Sequence, residues 1–217
     1  MLAVGDDMVG DAPLPSTRRA EQTMGMPAAV PRRWTYDEVS ALIDEQEDRS
    51  IRYEFADGEL LVTPAPSGYH QRIILELYER VVAFVRSPLL GEVRLGPSAV
   101  HLVARTIFQP DLYVVPSVDG KRPRADLAVT SAILVVEVLS PGSQRHDRVT
   151  KRRYYQRARV GEYWIVDQEA QLVERWRPDD ERPEVFDAAL VWCPPGATSA
   201  LTIDLPVLFG SVRDDER

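Results

Sequence analysis

The sequence contains very little lysine and cysteine, and it has no long apolar run. Of the 26 basic residues in its 217 positions, only Lys121 and Lys151 are lysines. The single cysteine, Cys193, cannot form an internal disulfide, and no Cys/His spacing typical of a zinc site is present. Apolar runs such as Ile133–Val136 are far too short to cross a bilayer, and the N-terminus lacks a secretory signal. We therefore expect a cytoplasmic protein without a membrane partner.

The overall composition is that of a folded acidic domain. The net charge is -8, and 44% of the residues are apolar, which excludes global disorder. The length allows one domain of ordinary size, with or without a tail. Residues 1–31 show no sustained periodicity, so we expect a flexible extension there or a later start codon at Met24 or Met26. A single domain is expected over residues 32–210, followed by a charged tail over 211–217.

Helix and hairpin signals open this domain. Thr35 and Glu38 form the pattern of a capping box, and apolar residues follow at helical spacing. The pair Asp57-Gly58 between apolar arms predicts a β-hairpin, because glycine readily takes the positive φ of a tight turn. Apolar residues at spacings of three and four predict a second helix from about Tyr69 to Val85.

The most informative stretch is a strand, a helix and a second strand. Residues 133–139 are almost entirely apolar and β-branched, which is typical of a strand buried on both faces. A helix over 144–159 and a strand over 162–167 follow. This order predicts a right-handed parallel crossover. Further strands are predicted over 92–103 and 107–115, and short peripheral strands towards the C-terminus.

Two acidic residues lie in predicted apolar strands. Burying the unpaired carboxylate of Glu137 would cost several kcal/mol, so Glu137 must be neutralised or must open onto a cleft. Asp111, which follows Pro110 at the start of another apolar strand, is the second acid. Two such acids on neighbouring strands can converge on one hard cation such as Mg²⁺. The alternative interpretations are a structural ion pair at Glu137 and a turn-capping role for Asp111.

The helix after the Glu137 strand is locally basic. Seven basic residues and one acid, Asp147, lie over 144–160, although the whole chain is acidic. This local charge suits a phosphate backbone. Lys151 shares a helix face with Asp147 and could orient a water molecule or stabilise charge on a phosphate. The alternative for Lys151 is a solvated position on a basic helix.

The order of these motifs resembles the Uma-two family of bacterial restriction-endonuclease-like proteins, which belongs to the PD-(D/E)XK nuclease superfamily. The resemblance extends from about Trp34 to Phe209, and its motifs are Pro110-Asp111, Glu137–Pro141, Asp147 with Lys151, Glu162–Asp167, the Asp57-Gly58 hairpin and His70. It implies an α/β (α+β) fold with a restriction-endonuclease-like core. In that core a mixed central β-sheet is flanked by helices, with an additional N-terminal helix and hairpin and C-terminal strands. It also implies a homodimer.

The resemblance implies a Mg²⁺-dependent or Mn²⁺-dependent endonuclease that acts on DNA. Asp111, Glu137 and the backbone carbonyl of Val138 are the implied metal ligands. The superfamily pattern has a lysine two residues after the second acid, where this chain has Leu139. Lys151 on the following helix is therefore the implied catalytic substitute for that lysine.

Other residues are weaker candidates for the same site. Glu54 could add an acidic ligand and His70 could line the cleft, while Asp147 is a further candidate beside the lysine. For Glu54 and His70 the alternatives are a solvent-facing hairpin acid and a hydrogen-bonded, half-buried histidine. The arginines expected to hold nucleic acid are Arg145, Arg148 and Arg152. The acidity of the chain and the apolar Leu139 also allow a second function, a catalytically decayed nuclease scaffold that binds nucleic acid or acts as an oligomeric interaction module.

Overall fold

The computed structural model describes residues 32–47, 51–63, 66–86, 89–97, 100–102, 105–121 and 132–213. The predicted extension over 1–31 and the last four residues of the predicted tail lie outside these ranges. The helices are α1 (Tyr36–Glu45), α2 (Gly68–Arg86), α3 (Arg152–Arg157) and α4 (Leu205–Ser211), and a π-helical turn at His146–Lys151 precedes α3. No helix within the described ranges is long and apolar enough to cross a membrane.

The strands form three sheets. They are β1 (Arg52–Ala56), β2 (Glu59–Thr63), β3 (Gly91–Leu95), β4 (Val100–Leu102), β5 (Thr106–Phe108), β6 (Leu112–Pro116), β7 (Leu134–Val138), β8 (Glu162–Asp167), β9 (Leu172–Trp176), β10 (Glu184–Phe186), β11 (Ala189–Trp192) and β12 (Leu201–Asp204). The sheet orders are β2-β1-β5-β4, β10-β9-β8-β7-β6-β3 and β11-β12.

The N-terminal helix and hairpin form as predicted. The Thr35 hydroxyl accepts a hydrogen bond from the Glu38 backbone N–H, and the Thr35 backbone N–H donates to the Glu38 carboxylate, which completes the capping box. Asp57 and Gly58 have φ angles of 55° and 84°, the left-handed region that a tight hairpin turn needs. Strand β1 of this hairpin carries Glu54, which the sheet directs into the interior.

The central six-stranded sheet is mixed, as predicted. Strands β7 and β8 are parallel, whereas the other neighbouring pairs are antiparallel. The connection from β7 to β8 runs through the π-helical turn and α3, which confirms that the two strands are joined by a parallel crossover. Gly161 allows β8 to start close to β7, because a Cβ there would lie 2.6 Å from the Ile133 carbonyl oxygen. The crossover determines which helix lies beside the end of β7.

Strand β7 separates two layers of the apolar core, because successive side chains of a strand point to opposite faces. Val138 packs in the layer that contains Ile73 of α2. Leu139, just after the strand, packs in the other layer with Tyr155 of α3. Glu137 alternates with Val138 and therefore points into the layer of α3.

The C-terminal segment differs from the prediction of strands alone. Strand β12 ends at Asp204, whose side chain accepts a hydrogen bond from the Val207 backbone N–H at 2.9 Å and caps α4. Pro206 is compatible with this first turn, since its missing N–H has no intrahelical partner there. Val212 is buried, so the packed core extends past residue 210 into the predicted tail.

Candidate active site

A cleft of about 390 Å³ lies at the carboxyl end of β7. The β1–β2 hairpin, the first turn of α2 and the loop after β7 form its walls. The ionisable side chains that line it are Arg52, Glu54, His70, Asp111, Glu137, Asp147 and Lys151. All of them except Arg52 are at most 5% exposed. The structure therefore brings the predicted catalytic residues and the three additional candidates together in one cleft.

Asp111 lies just before β6 and is held on both carboxylate oxygens. Arg52 Nη1 donates to Oδ1 at 2.5 Å, and the Val138 backbone N–H donates to Oδ2 at 2.8 Å. His70 Nε2 lies 3.2 Å from the same Oδ2. Burial opposes ionisation of this carboxylate, but its contacts with His70, Arg52 and Val138 outweigh burial and lower the pKa to about 2. Asp111 is therefore a fixed, ionised carboxylate.

His70 connects the first turn of α2 to the end of β7. Its Nε2 lies 2.9 Å from the Val138 carbonyl oxygen and 3.2 Å from Asp111 Oδ2. Because both neighbours are acceptors, Nε2 carries the proton and donates. Its Nδ1 is buried and has no hydrogen-bond partner among the described residues. The half-buried, fully hydrogen-bonded histidine of the alternative interpretation is therefore not what the structure shows.

Glu137 is buried at the centre of the six-stranded sheet. Its Oε1 accepts hydrogen bonds from Lys151 Nζ at 2.9 Å and from the Tyr155 hydroxyl at 3.2 Å. Its Oε2 accepts no hydrogen bond from any residue within the described ranges. One carboxylate oxygen is thus engaged with the helix layer while the other is without a donor.

Lys151 Nζ lies among carboxylate oxygens from three separate elements. It is 2.9 Å from Glu54 Oε1 on β1, 2.9 Å from Glu137 Oε1 on β7 and 3.1 Å from Asp147 Oδ1 one helical turn earlier. The segment predicted as a regular helix contains a π-helical turn here, at His146–Lys151. Such turns often occur at functional sites because they redirect side chains. Glu54 is buried in this cluster, so its solvent-facing alternative is wrong.

The cluster contains more acid than base. Burial alone would lower the pKa of Lys151, but the three neighbouring carboxylates raise it well above its usual value. Burial raises the pKa of Glu137 well above its usual value and also raises that of Glu54, against the opposing effect of the ammonium. The ammonium therefore stays charged, and the carboxyl groups around it retain the capacity to interact with a further cation.

Leu139 occupies the position where the superfamily pattern has lysine. It is buried and packs with Tyr154 and Tyr155 of α3. Side chains two positions apart on a strand share a face, so Leu139 and Glu137 both point towards the layer of α3. Lys151 enters from that same layer. Its ammonium therefore reaches Glu137 from the side on which a lysine at position 139 would lie.

The three arginines predicted to hold nucleic acid have different surroundings. Arg148 donates to the carboxylates of Asp167 and Glu174 at 2.8 and 2.7 Å. Arg152 places its guanidinium 4.6 Å from the centroid of a tryptophan ring. Arg145 is exposed and has no partner among the residues that the structure describes. Of the three, Arg145 is the one for which the described residues provide neither a hydrogen bond nor an aromatic contact.

Two further residues contact the candidate metal ligands, although the sequence analysis did not select them. Arg52 lies two residues before Glu54 on β1, so strand alternation places both on one face. Tyr155 lies one helical turn after Lys151, so helical spacing places both on one side. The sequence signal for Arg52 is its position two residues before Glu54, and the signal for Tyr155 is its position four residues after Lys151.

The oxygen atoms of the cleft suit a hard divalent cation. The carboxylates of Asp111 and Glu137 and the carbonyl of Val138 are ligands that Mg²⁺ and Mn²⁺ prefer. Within the described part of the chain, no three His, Cys, Asp or Glu side chains already surround one metal position. Arg52 and Lys151 instead contact the two acids. The donor chemistry and the surplus of carboxyl groups fit a metal ion that displaces Arg52 from Asp111, while Lys151 keeps its contact with Glu137 Oε1.

Comparison with known proteins agrees with this fold. A crystal structure described as "a putative nuclease belonging to DUF820", from Anabaena variabilis ATCC 29413, aligns with a TM-score of 0.65 and 24% identity, over 82% of this chain and 99% of that chain. An uncharacterized protein from Synechocystis sp. (strain PCC 6803) is 23% identical over 142 residues, 64% of this chain and 80% of that protein. The sequence model of the Uma2 family, described as "Putative restriction endonuclease", matches residues 36–205. Since this match covers most of the chain, the protein belongs to the Uma2 family, as its motifs indicate.

Proposed function

We propose that the protein is a divalent-metal-dependent endonuclease that hydrolyses phosphodiester bonds of DNA in the cleft at the end of β7. The observation that carries this proposal is the convergence of Asp111, Glu137 and Lys151 in one buried cleft. The family description, which names a restriction endonuclease, supports the hydrolytic class. The structure from Anabaena variabilis, described as "a putative nuclease", shares the fold and agrees with this class.

The residues divide into metal ligands and a cationic group. Asp111, Glu137 and the Val138 carbonyl would hold Mg²⁺ or Mn²⁺. Such an ion, when bound, polarises a phosphate oxygen and lowers the pKa of bound water. Lys151, whose ammonium is held 2.9 Å from Glu137 Oε1, would orient the attacking water and stabilise negative charge that develops on the phosphate. Catalysis then depends on a preorganised cation in a buried site.

The substrate backbone would be held by arginine side chains near the cleft. Arg52 lines the cleft and its side chain is 14% exposed. Arg145 is exposed and lies two residues after Ser143, which also lines the cleft. Arg148 and Arg152 stay candidates, although protein groups already engage both. These contacts reach phosphates and not base edges, so they support affinity without sequence specificity.

The test is cleavage of supercoiled plasmid and labelled oligonucleotides by the purified protein. We expect cleavage with Mg²⁺ or Mn²⁺, no cleavage with excess chelator, and loss of cleavage in Asp111→Ala and Glu137→Ala. Asp179→Ala is the matched control, because Asp179 is an exposed acid that pairs with Arg159 outside the cleft. Undiminished cleavage in both cleft variants would overturn the proposal.

A second candidate function is a nucleic-acid-binding module on a decayed nuclease scaffold. It is favoured by Arg52 and Lys151, which neutralise the two candidate ligands without a metal, and by Leu139 in the usual lysine position. This function predicts salt-sensitive DNA binding with no cleavage in any divalent metal. The cleavage assay above distinguishes the two functions directly.

The proposed enzyme is a cytoplasmic homodimer. The family resemblance supports the homodimer, and the cytoplasmic location is a prediction from the sequence. Strand β10 is an edge strand of the central sheet, and its Val185 is exposed, which is a surface that a second copy could cover. Light scattering on the purified protein is expected to give twice the monomer mass, and a monomer mass at micromolar concentration would contradict the dimer.

A further inference from the structure

We propose that Lys151 takes the place of a second divalent cation, so that the cleft holds one metal ion together with one resident ammonium. This inference rests on the proposed function, since it concerns the number of metal ions in the same cleft. Glu54, Glu137 and Asp147 would form a second cation site, which the ammonium of Lys151 occupies. We call it the latent site, because a metal ion could bind there only when the lysine is absent.

The surroundings of the ammonium are those of a bound cation. Three carboxylate oxygens lie 2.9, 2.9 and 3.1 Å from Lys151 Nζ, and each comes from a different element. The three acidic side chains and the lysine are at most 3% exposed. Carboxylate oxygens are the ligands of hard divalent ions, which bind them at roughly 2.0–2.6 Å. Removal of the lysine would leave three buried acids around an empty position, and their oxygens would have to draw closer together to bind a metal ion.

Two oxygen atoms in this cluster lack a hydrogen-bond donor. Asp147 Oδ1 is buried and accepts no hydrogen bond from any described residue, although it lies 3.1 Å from Nζ. A buried acceptor without a donor is costly, and a metal ion at this position would satisfy it. Glu137 Oε2 is also without a donor among the described residues. Glu137 can therefore contact the lysine position through one oxygen and the Asp111 metal position through the other.

The charges of the cleft favour one metal ion while the lysine is present. Four carboxyl groups line the cleft, against two permanent cations, Arg52 and Lys151. When all four carboxyl groups are ionised, the cleft has a net charge of -2, which a single divalent ion cancels. A second divalent ion beside Lys151 would leave net positive charge in a buried site, which is strongly unfavourable. Without the ammonium, the four carboxylates and Arg52 sum to -3, so one divalent ion leaves -1 and a second ion brings the total to +1, half the excess that two ions would leave beside Lys151.

The experiment counts the Mn²⁺ ions bound to the metal-free protein, by titration calorimetry and by the electron paramagnetic resonance signal of free Mn²⁺. We expect one ion per chain for the unsubstituted protein and two for Lys151→Ala. Lys121→Ala is the matched control, because Lys121 is the other lysine and is exposed; it should bind one ion. Adding Glu54→Gln to Lys151→Ala removes a ligand and should return the count to one.

The outcomes separate this inference from the proposed function. No bound Mn²⁺ in the unsubstituted protein would overturn the metal dependence of the proposed function, and this inference with it. One ion in both the unsubstituted protein and Lys151→Ala, or two in both, would overturn only the inference. If Lys151→Ala is unfolded without metal, its circular dichroism is measured with Mn²⁺: recovery of the folded signal supports the latent site, and no recovery at saturating Mn²⁺ overturns it.

Discussion

Lys151 Nζ donates to Glu137 Oε1 at 2.9 Å across fourteen residues of chain. Glu137 lies on β7, and Lys151 ends the π-helical turn of the crossover that leads to β8. The lysine therefore reaches the carboxylate from the helix layer, whereas the superfamily pattern supplies it from the strand. Both side chains point into the same layer, so Lys151 contacts Glu137 from the side on which a lysine at position 139 would lie.

Replacement of this lysine by arginine tests whether charge alone is sufficient. We expect Lys151→Arg to lose most of the activity and to be destabilised by about 1–3 kcal/mol, because a larger planar guanidinium must enter a closely packed buried site. Urea unfolding and the cleavage rate measure the two effects. Lys121→Arg is the control and should match the unsubstituted protein. Full activity in Lys151→Arg would show that any positive charge serves.

The low pKa of Asp111 predicts an acid-dependent loss of stability. Its pKa is about 2 in the folded protein and 3.8 in an ordinary environment. A lowered pKa stabilises the fold fully above about pH 4, and this stabilisation is lost as the pH falls through 2. At neutral pH it amounts to on the order of 2 kcal/mol. The free energy of unfolding of the unsubstituted protein should therefore exceed that of Asp111→Asn, and the difference should shrink from pH 4 to pH 2.

Urea titrations at several pH values measure this difference. Asp179→Asn is the control, since Asp179 also carries a lowered pKa, from its hydrogen bond to Arg159, but is exposed. Its effect on stability should be much smaller at every pH. A constant difference between the unsubstituted protein and Asp111→Asn from pH 6 to pH 2 would contradict the assignment of Asp111 as a strongly ionised buried acid.

The arginines of the basic helix should separate into a structural and a DNA-binding class. Arg148 bridges the carboxylates of Asp167 and Glu174, so Arg148→Ala should lower the free energy of unfolding by about 1–2 kcal/mol. Arg145 is exposed, so Arg145→Ala should leave stability unchanged. It should instead weaken DNA binding and reduce the slope of log K against log salt by about 1. Fluorescence anisotropy at several salt concentrations measures this slope, and an unchanged slope would contradict the role of Arg145.

Local patterns in the sequence predict much of the fold. The capping box at Thr35 and the left-handed turn at Asp57-Gly58 depend on neighbouring residues alone, so they form where the sequence indicates. The continuous apolar run of β7 also identifies a central strand, because only burial on both faces favours such a run. Its one acid, Glu137, must be neutralised, and this requirement predicts a charged cluster before any partner is known.

The remaining features depend on contacts that local patterns do not contain. The burial of Glu54 follows from the position of the hairpin against β5, a tertiary contact between distant segments. The π-helical turn lies where Lys151 contacts acids on two strands, and its sequence predicts an ordinary helix. For α4, the cap at Asp204 and the Pro206 that follows are helix signals. The short apolar run over 201–205, however, is typical of a strand.

The proposal that Lys151 takes the place of a lysine at position 139 predicts what happens when a lysine is introduced at that position. Leu139 shares a face with Glu137, so a lysine at position 139 would extend towards the same carboxylate. Lys151→Ala combined with Leu139→Lys should recover part of the cleavage activity that Lys151→Ala alone loses. Leu139→Lys alone should be destabilised, because it removes a buried apolar contact and places a second ammonium beside the first. Leu139→Met is the control for packing and should cost less than about 1.5 kcal/mol. A folded double variant that is as inactive as Lys151→Ala would contradict the view that the two positions supply one charge.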